Sequence, residues 1–479
     1  MEWSGFALLL LVGVGIIGTG LPAAVVLIIA ASFGVALGLI TDTIPTGLLW
    51  ALPMRLINLL ENDLLQALPL YVTMGLLLNR LPLAEALYRA SSTILPRSPS
   101  APLVSGMVLG ALLGPMNGSV GASVLALSRV ISPRLSAEGV PPATRDAVIA
   151  VASTLGVLVP PSLVLILLSD AMLSAHTVAV TQTGRVDRVI NTQDVFHAAL
   201  LPAVIFLVLC VALSWLVGRK AVRTVKPDLL TVDQALLATF SLATLVLLLG
   251  GVAAGYFYAV EAAAVGAFAL LVSGLMTKRL NCAALRDVFH DAIAITGALF
   301  SLLIAATTFT LVLRVLGTDR LVNDLVGAIP GSDVVTVAAV LAVIGACAFV
   351  LDAFEIIFVI VPIVVPPLLI RVADARWVSV LVLLALQSSF LLPPFGYALM
   401  MVRGTAKNPA AVRPMVRALA PFLAAQWLLL VIVLFVPSLV HFGEKASEIS
   451  RAPPKELSTE EVNKRLKEMV PMPPPQDGN

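Results

Sequence analysis

Two stretches of this chain are apolar enough to lie inside a membrane, yet each is broken by residues that end a helix. From Gly114 to Ser169 an apolar segment stops at a Gly/Asn/Ser tip (GPMNGSVGASV), resumes, and is broken again after Thr154 and Gly156 by the pair Pro160-Pro161. Irregular backbone facing lipid leaves N–H and C=O groups without partners, so such breaks survive only where protein buries them or where they line a cavity. The breaks therefore mark the place where the chain does its work.

The pattern returns at one fixed distance. Pro393-Pro394 follows Pro160-Pro161 by 233 residues, and Pro366 follows Pro133 by the same 233. That offset matches Ser119 with Asp352 and Thr154 with Gln387. One offset shared by two elements and their flanking spans is what an internal duplication leaves. Paired Gly/Pro-interrupted segments in corresponding halves point to the binding site of a secondary transporter.

Composition sets the medium. Of 479 residues, 59% are hydrophobic and 12% charged, and the mean hydropathy is +1.02, outside the range of soluble domains. The fold class expected is an all-α polytopic membrane protein with the lipid bilayer as its surroundings. A net charge of only +2, dispersed through short loops, gives nucleic-acid binding no support. Cys210, Cys282 and Cys347 lie in or beside apolar segments without metal-ligand spacing and read as packing residues. The N-terminus lacks the basic region and cleavage site of a signal peptide, so its apolar run is expected to persist in the mature protein.

In chain order, Phe6 to Ile40 gives two short crossings or one long kinked one, interrupted at Gly18 to Pro22. Thr41 to Asn62 is a short amphipathic connection, Leu64 to Leu78 a span, and a loop with Arg80, Arg89 and Arg97 leads to a re-entrant hairpin from Leu103 to Leu135. The broken helix Ala147 to Leu168, a polar loop carrying Asp170, Asp187 and Asp194, and a span from Phe196 complete a first repeat over residues 1–217. The second repeat, residues 218–440, has spans near Leu229 to Leu249, Tyr256 to Met276 and Ala292 to Leu316, a hairpin from Val335 to Ile370 and a broken helix from Val378 to Met401. Residues 441–479 form a polar tail with a predicted helix from Thr459 to Met469, where Ser458 and Glu461 have capping-box spacing.

The basic loops Arg219 to Lys226, Lys278 to Arg286 and Arg403 to Arg417 are placed in the cytoplasm by the positive-inside rule. The acidic loops Asp170 to Asp194 and Asp319 to Asp333 then fall outside, both termini are outside, and the two hairpins enter from opposite faces. The repeats are expected to be inverted, as is common in secondary transporters.

The polar residues at the breaks supply oxygen. Helix C-terminal carbonyls carry partial negative charge and suit a hard cation. Gly118, Ser119 and Gly121 with Thr154 and Gly156 form one candidate sodium cluster; Asp352 with Gln387 and Ser388 forms the second. A carboxylate inside a membrane costs roughly 2.5–3.5 kcal/mol on insertion scales, so Asp352 must face a partner, a cavity or its own helix N-terminus. Glu355 lies three residues on, with Asn117, Ser123, Ser162, Phe395 and Gly396 as further candidates for solute contact. For Ser123 helix packing competes with that role. The helices starting after Pro161 and Pro394 offer N–H groups to an anion. An enzyme is not expected: Asp352 and Glu355 form the one close carboxylate pair at depth, and no histidine accompanies them.

GSVGASV at the first tip, TLG before Pro160-Pro161-Ser162, LDAFEIIFVIVP at the second hairpin and LQSSFLLPPFGYALMMVRG at the second break resemble the large membrane subunit of TRAP (tripartite ATP-independent periplasmic) transporters, nearest the mannitol/chloroaromatic-type branch. The resemblance runs nearly to Val440. It implies sodium-coupled uptake of a small organic acid, of carboxylate or 2-oxo acid type, by an elevator motion in the bacterial inner membrane. It also implies a periplasmic substrate-binding protein and a small membrane subunit as partners, the latter expected as a separate chain, and no cofactor beyond the ion. Val140, Ser153, Pro115 to Asn117 and Leu392 depart from the family's usual pattern. The alternative reading is a stand-alone sodium/dicarboxylate symporter or antiporter of the same superfamily.

Overall fold

The computed structural model describes residues 2–41, 47, 50–94, 98–185, 188–219, 232–392, 396–406 and 408–442, and among these the regular structure is helical without strands. Gly20 and Pro22 divide the first apolar run into two helices, α1 (Glu2–Thr19) and α2 (Ala23–Ile40). α3 (Ala51–Leu60) precedes α4 (Asp63–Arg80), which turns by 66° into α5 (Leu83–Ile94). The loop expected after Leu78 is thus a helix, supported at its surface by an i,i+4 pair of Glu85 and Arg89 at 2.7 Å.

The first half continues through α6 (Ala101–Leu113), α7 (Val120–Ala137), α8 (Pro142–Leu158), α9 (Leu163–Thr183) and α10 (Thr192–Gly218). The second contains α11 (Val232–Ala253), α12 (Ala259–Met276), α13 (Cys282–Val315), α14 (Thr318–Gly327) and α15 (Asp333–Cys347). A single turn, α16 (Ala353–Glu355), then runs through a π-helical turn into α17 (Val361–Arg371), followed by α18 (Ala375–Ser389), α19 (Tyr397–Thr405) and α20 (Val412–Phe435). Two expected loops are shorter than the polarity of their residues implied. Asp170 sits on α9, hydrogen-bonded to Asn62 at 2.9 Å, and Asp319 on α14. The break at Pro393-Pro394 and the helix expected at Thr459 to Met469 lie outside the described residues.

Seven helices among the described residues are long and apolar enough to span a membrane, and the bent α4–α5 pair makes an eighth. α6, α15 and α18 have 13, 15 and 15 residues. At about 1.5 Å per residue they fall short of the roughly 30 Å hydrocarbon core. These are the first arms of the two hairpins and the first half of the second broken helix. α8 buries every residue from Arg145 to Leu158, and α18 every residue from Trp377 to Ser389. The two broken helices are the centre of the molecule.

Around that centre the packing is exchanged between halves. α9 lies along α17 while α19 lies along α7; α4 lies along α12 while α2 lies along α13. α7 and α16 begin at Val120 and Ala353, and α8 and α18 at Pro142 and Ala375, each pair 233 residues apart. At the periphery α2, α11, α12 and α13 expose Ile28, Phe33, Val246, Phe268 and Ile293. Apolar surface on this scale calls for lipid rather than water, and the chain is a multi-pass membrane protein.

Charge pins both ends of the core. At the α8 end, Arg145 and Asp146 form a buried pair tied to the segment between α19 and α20. At the α18 end, Asp374 caps the Trp377 N–H (3.0 Å) and bonds His441 Nε2 (2.8 Å), while Arg376 reaches Asp194 at the start of α10 (3.0 Å). The Asp374 contact raises the His441 pKa above its ordinary value of about 6.5. A raised folded-state value means that the pair's contribution, of order 1 kcal/mol or less, is complete below pH of about 6.5 and fades as pH rises through the folded-state pKa. His441→Gln should remove that part of the pH dependence, read as the difference in thermal midpoint between pH 5.5 and 8.5.

Candidate functional site

The first tip begins where α6 ends. A 3₁₀ turn over Gly114–Asn117 leads to Gly118, whose φ of +68° is the left-handed conformation that glycine adopts at least cost. Ser119 then starts α7, its Oγ accepting from the Ala122 N–H (3.1 Å). Asn117 Nδ2 donates to Ser123 Oγ (3.1 Å), which in turn donates to the Ser119 carbonyl (3.2 Å). Asn117 and Ser123, weighed in the sequence as solute contacts, thus also brace the tip.

The tip is held against the first break by a close approach of two glycines. A Cβ on either Gly114 or Gly156 would collide with the backbone of the other. Beside this contact Gly118, Ser119, Ser123, Ser153, Gly156 and Ser162 line a cavity of about 10 Å³, room for a single water-sized particle. Five of these six were candidates from the sequence; Ser153 was noticed there only as a departure from a family pattern. Ser153 Oγ donates to the Ala150 carbonyl (2.7 Å) and Ser162 Oγ to the Val157 carbonyl (2.9 Å). Their lone pairs remain for a hard cation, which prefers oxygen ligands. Ser162 also accepts from the Leu165 N–H (3.1 Å), capping α9 across the break.

Other candidates lie elsewhere. The Thr154 hydroxyl turns back to the Val151 carbonyl (2.9 Å), and it is the Thr154 carbonyl that meets Gln387 Nε2 (3.5 Å), residues matched by the 233 offset. Gly121 faces away from the cavity lining toward the Tyr397 hydroxyl. Asp352 and Glu355 form a reciprocal capping box: Asp352 Oδ1 accepts from the Glu355 N–H (3.0 Å), and Glu355 Oε2 accepts from the Asp352 N–H (3.1 Å). Ser388 Oγ donates to the Leu384 carbonyl (3.2 Å). Gly396 is buried ahead of α19, its N–H on the Leu392 carbonyl (2.8 Å), and Phe395 lies outside the described residues.

Two residues that sequence reasoning missed complete the centre. Gln426, fully buried on α20, donates from Nε2 to Ser388 Oγ (3.0 Å) and to the Leu384 carbonyl (3.1 Å), fastening the end of α18. Its signal was a lone amide in the apolar run after Arg417, since polar side chains at membrane depth are functional candidates by default. Tyr397 stands beside Gly121 of the first hairpin and within electrostatic reach of Asp352 of the second. Asn117 Oδ1, Gln387 Oε1 and Gln426 Oε1 are buried with no hydrogen-bond partner among the described residues. Each is an acceptor whose isolation costs about 1–3 kcal/mol, so the centre is poised to take a donor or a cation.

Comparison with known proteins places this architecture. The family described as "Tripartite ATP-independent periplasmic transporter, DctM component" matches residues 6–439. The C4-dicarboxylate TRAP transporter large permease protein DctM of Rhodobacter capsulatus is 22% identical over 391 residues, 81% of this chain and 88% of that one. The sialic acid TRAP transporter permease protein SiaT of Haemophilus influenzae is 22% identical over 392 residues, 81% of this chain but only 61% of its own length. Among solved structures, the Alcanivorax borkumensis YdaH transporter superposes with a TM-score of 0.61 at 14% identity, covering 78% of this chain and 85% of that one, a likeness of fold. Matched from the first helix to the end of the last, the chain belongs to the tripartite ATP-independent periplasmic transporters as a DctM component, the large permease subunit.

Proposed function

We propose that this permease subunit drives sodium-coupled uptake of a small organic acid across the bacterial inner membrane. The observation that carries the reading is the cavity between the first tip and the first break, sized for one small particle, in which four serines and three glycines share the lining with Pro115, Val120, Val157, Leu163 and Val164. Asn117, Gln387 and Gln426 add buried amide oxygens without donors among the described residues. Asp352 supplies the negative charge that the first tip lacks. The N-termini of α9 and α19 present N–H groups that suit a carboxylate, and the two relatives' names, sialic acid and C4-dicarboxylate, are those of acids.

The exchanged packing of α9 with α17 and of α19 with α7 supports two inverted repeats. In this reading the hairpins and broken helices move together as an elevator past a frame of the remaining spans. A small membrane subunit braces that frame, and a periplasmic binding protein delivers the solute.

The test uses the reconstituted complex, with uptake followed under an inward sodium gradient and under potassium alone. Asp352→Asn keeps a cap of equal quality while removing the charge. It should raise the sodium concentration for half-maximal uptake about tenfold, and Ser119→Ala should raise it severalfold. Unchanged sodium dependence in both variants would sink the ion-site assignment. Uptake that persists without the binding protein would remove the tripartite reading.

A further inference from the structure

Between the bend of α4–α5, α11 and α12 lies a slot of about 450 Å³, within the range of small-molecule sites, roughly 300–1,000 Å³. It is far larger than the cavity at the tip and has a different chemistry. Its lining is graded along its length. Met74, Met116, Leu248 and Gly266 form one end, whereas Ser241, Ser273, Thr277 and Arg279 lie toward the other. Arg279 is exposed at this mouth, next to Lys278. Leu81 and Pro82, at the α4–α5 bend, wall the same end, and the Arg80–Asp287 pair (3.5 Å) lies beside it in sequence.

An aqueous solute has no use for an apolar slot at membrane depth. The outer faces of the slot's walls, with Leu242, Val246, Leu247, Val265 and Phe268 exposed, are of the kind that meets lipid. The surrounding medium therefore offers an acyl chain to the slot before it offers water. The mouth adds a guanidinium, which pairs bidentately with phosphate, in the basic loop that the positive-inside rule assigns to the cytoplasmic face. Basic pockets between membrane helices on that side favour anionic head groups.

We propose that the slot holds one acyl chain of an anionic phospholipid from the cytoplasmic leaflet, with its phosphate on Arg279. The chain end then touches Met116, the residue directly before Asn117 and the first tip. An occupied slot buttresses the tip from the side opposite the Gly114–Gly156 contact. This inference needs only the membrane placement of the chain, and neither the coupling ion nor the solute enters it.

The experiment is native mass spectrometry of the permease with its small subunit, released from nanodiscs of equal phosphatidylglycerol and phosphatidylcholine. One retained phospholipid, enriched in phosphatidylglycerol, is expected. Ala269→Trp, which fills the slot, should lose it. Arg279→Gln, at an exposed position that leaves the fold intact, should lower the phosphatidylglycerol preference at least fivefold. The proposal is overturned if Arg279→Gln leaves the preference unchanged, or if a folded Ala269→Trp complex retains the lipid. It is equally overturned if the permease alone retains a lipid that the complex lacks, because the slot would then be a subunit interface.

Discussion

Asp146→Ala should be among the most destabilising single changes in this protein, at about 3–5 kcal/mol, the cost of leaving a buried charge without its partner. Arg145 and Asp146 are 8% and 1% exposed at their side chains and meet at 2.7 Å. Arg145 also donates to Ser136 Oγ (3.0 Å) and to the Asn408 carbonyl (2.8 Å), while Asp146 Oδ2 accepts from the Ala410 N–H (2.9 Å). Removing the carboxylate strands the guanidinium among neutral groups and frees the segment before α20. The double change Arg145→Met with Asp146→Leu should cost less than Asp146→Ala alone, since no charge is then stranded. Unfolding measured in detergent by a cysteine-reactive dye at the buried Cys210, with the exposed Cys282 and the half-buried Cys347 replaced by serine, checks both. A midpoint for Asp146→Ala equal to wild type would mean that the pair does not pin the core.

This pair shows where sequence reasoning stopped. An Arg-Asp dipeptide at the start of an apolar run looks like an ordinary interfacial loop. Its importance comes from contacts about 263 residues away, which no local pattern carries. The breaks were legible for the opposite reason: glycine and proline inside membrane-depth sequence violate a local rule, and only a site or a buried contact tolerates the violation. The 233 offset told which residues correspond, and Thr154 does meet Gln387. It did not tell that the meeting uses a backbone carbonyl, because the direction of a hydroxyl within a helix depends on the rotamer that its neighbours leave open. The charges of α5 and α14 mask their helical periodicity in the sequence, which makes both look like loops. Gln426 was passed over because a single amide gives no spacing to detect.

Gly156→Ala should raise the sodium concentration for half-maximal uptake about tenfold or more while leaving the permease in the membrane. A methyl group at Gly156 falls within 3.0 Å of backbone atoms of Gly114 and Pro115, and backbone, unlike the end of a long side chain, cannot swing aside. Relief requires the 3₁₀ turn at Gly114–Asn117 to move off α8. That turn carries Gly118 and Ser119, so the cavity opens and its ligands separate. Overpacking of this kind costs about 1–3 kcal/mol; spent on the cavity rather than on global stability, it lowers affinity for a bound cation by about tenfold or more. Gly345→Ala is the control, since a methyl on this glycine of α15 meets nothing within 4 Å and alanine is the better helix former by about 1 kcal/mol. It should transport as wild type and be no less stable. If Gly156→Ala instead transports normally with unaltered sodium dependence, the apposition of tip and break is packing alone, and the coupling ion must be sought at Asp352, Ser388 and Gln426. Read with its control, Gly156→Ala therefore decides whether the first of the two repeat-related centres takes part in coupling.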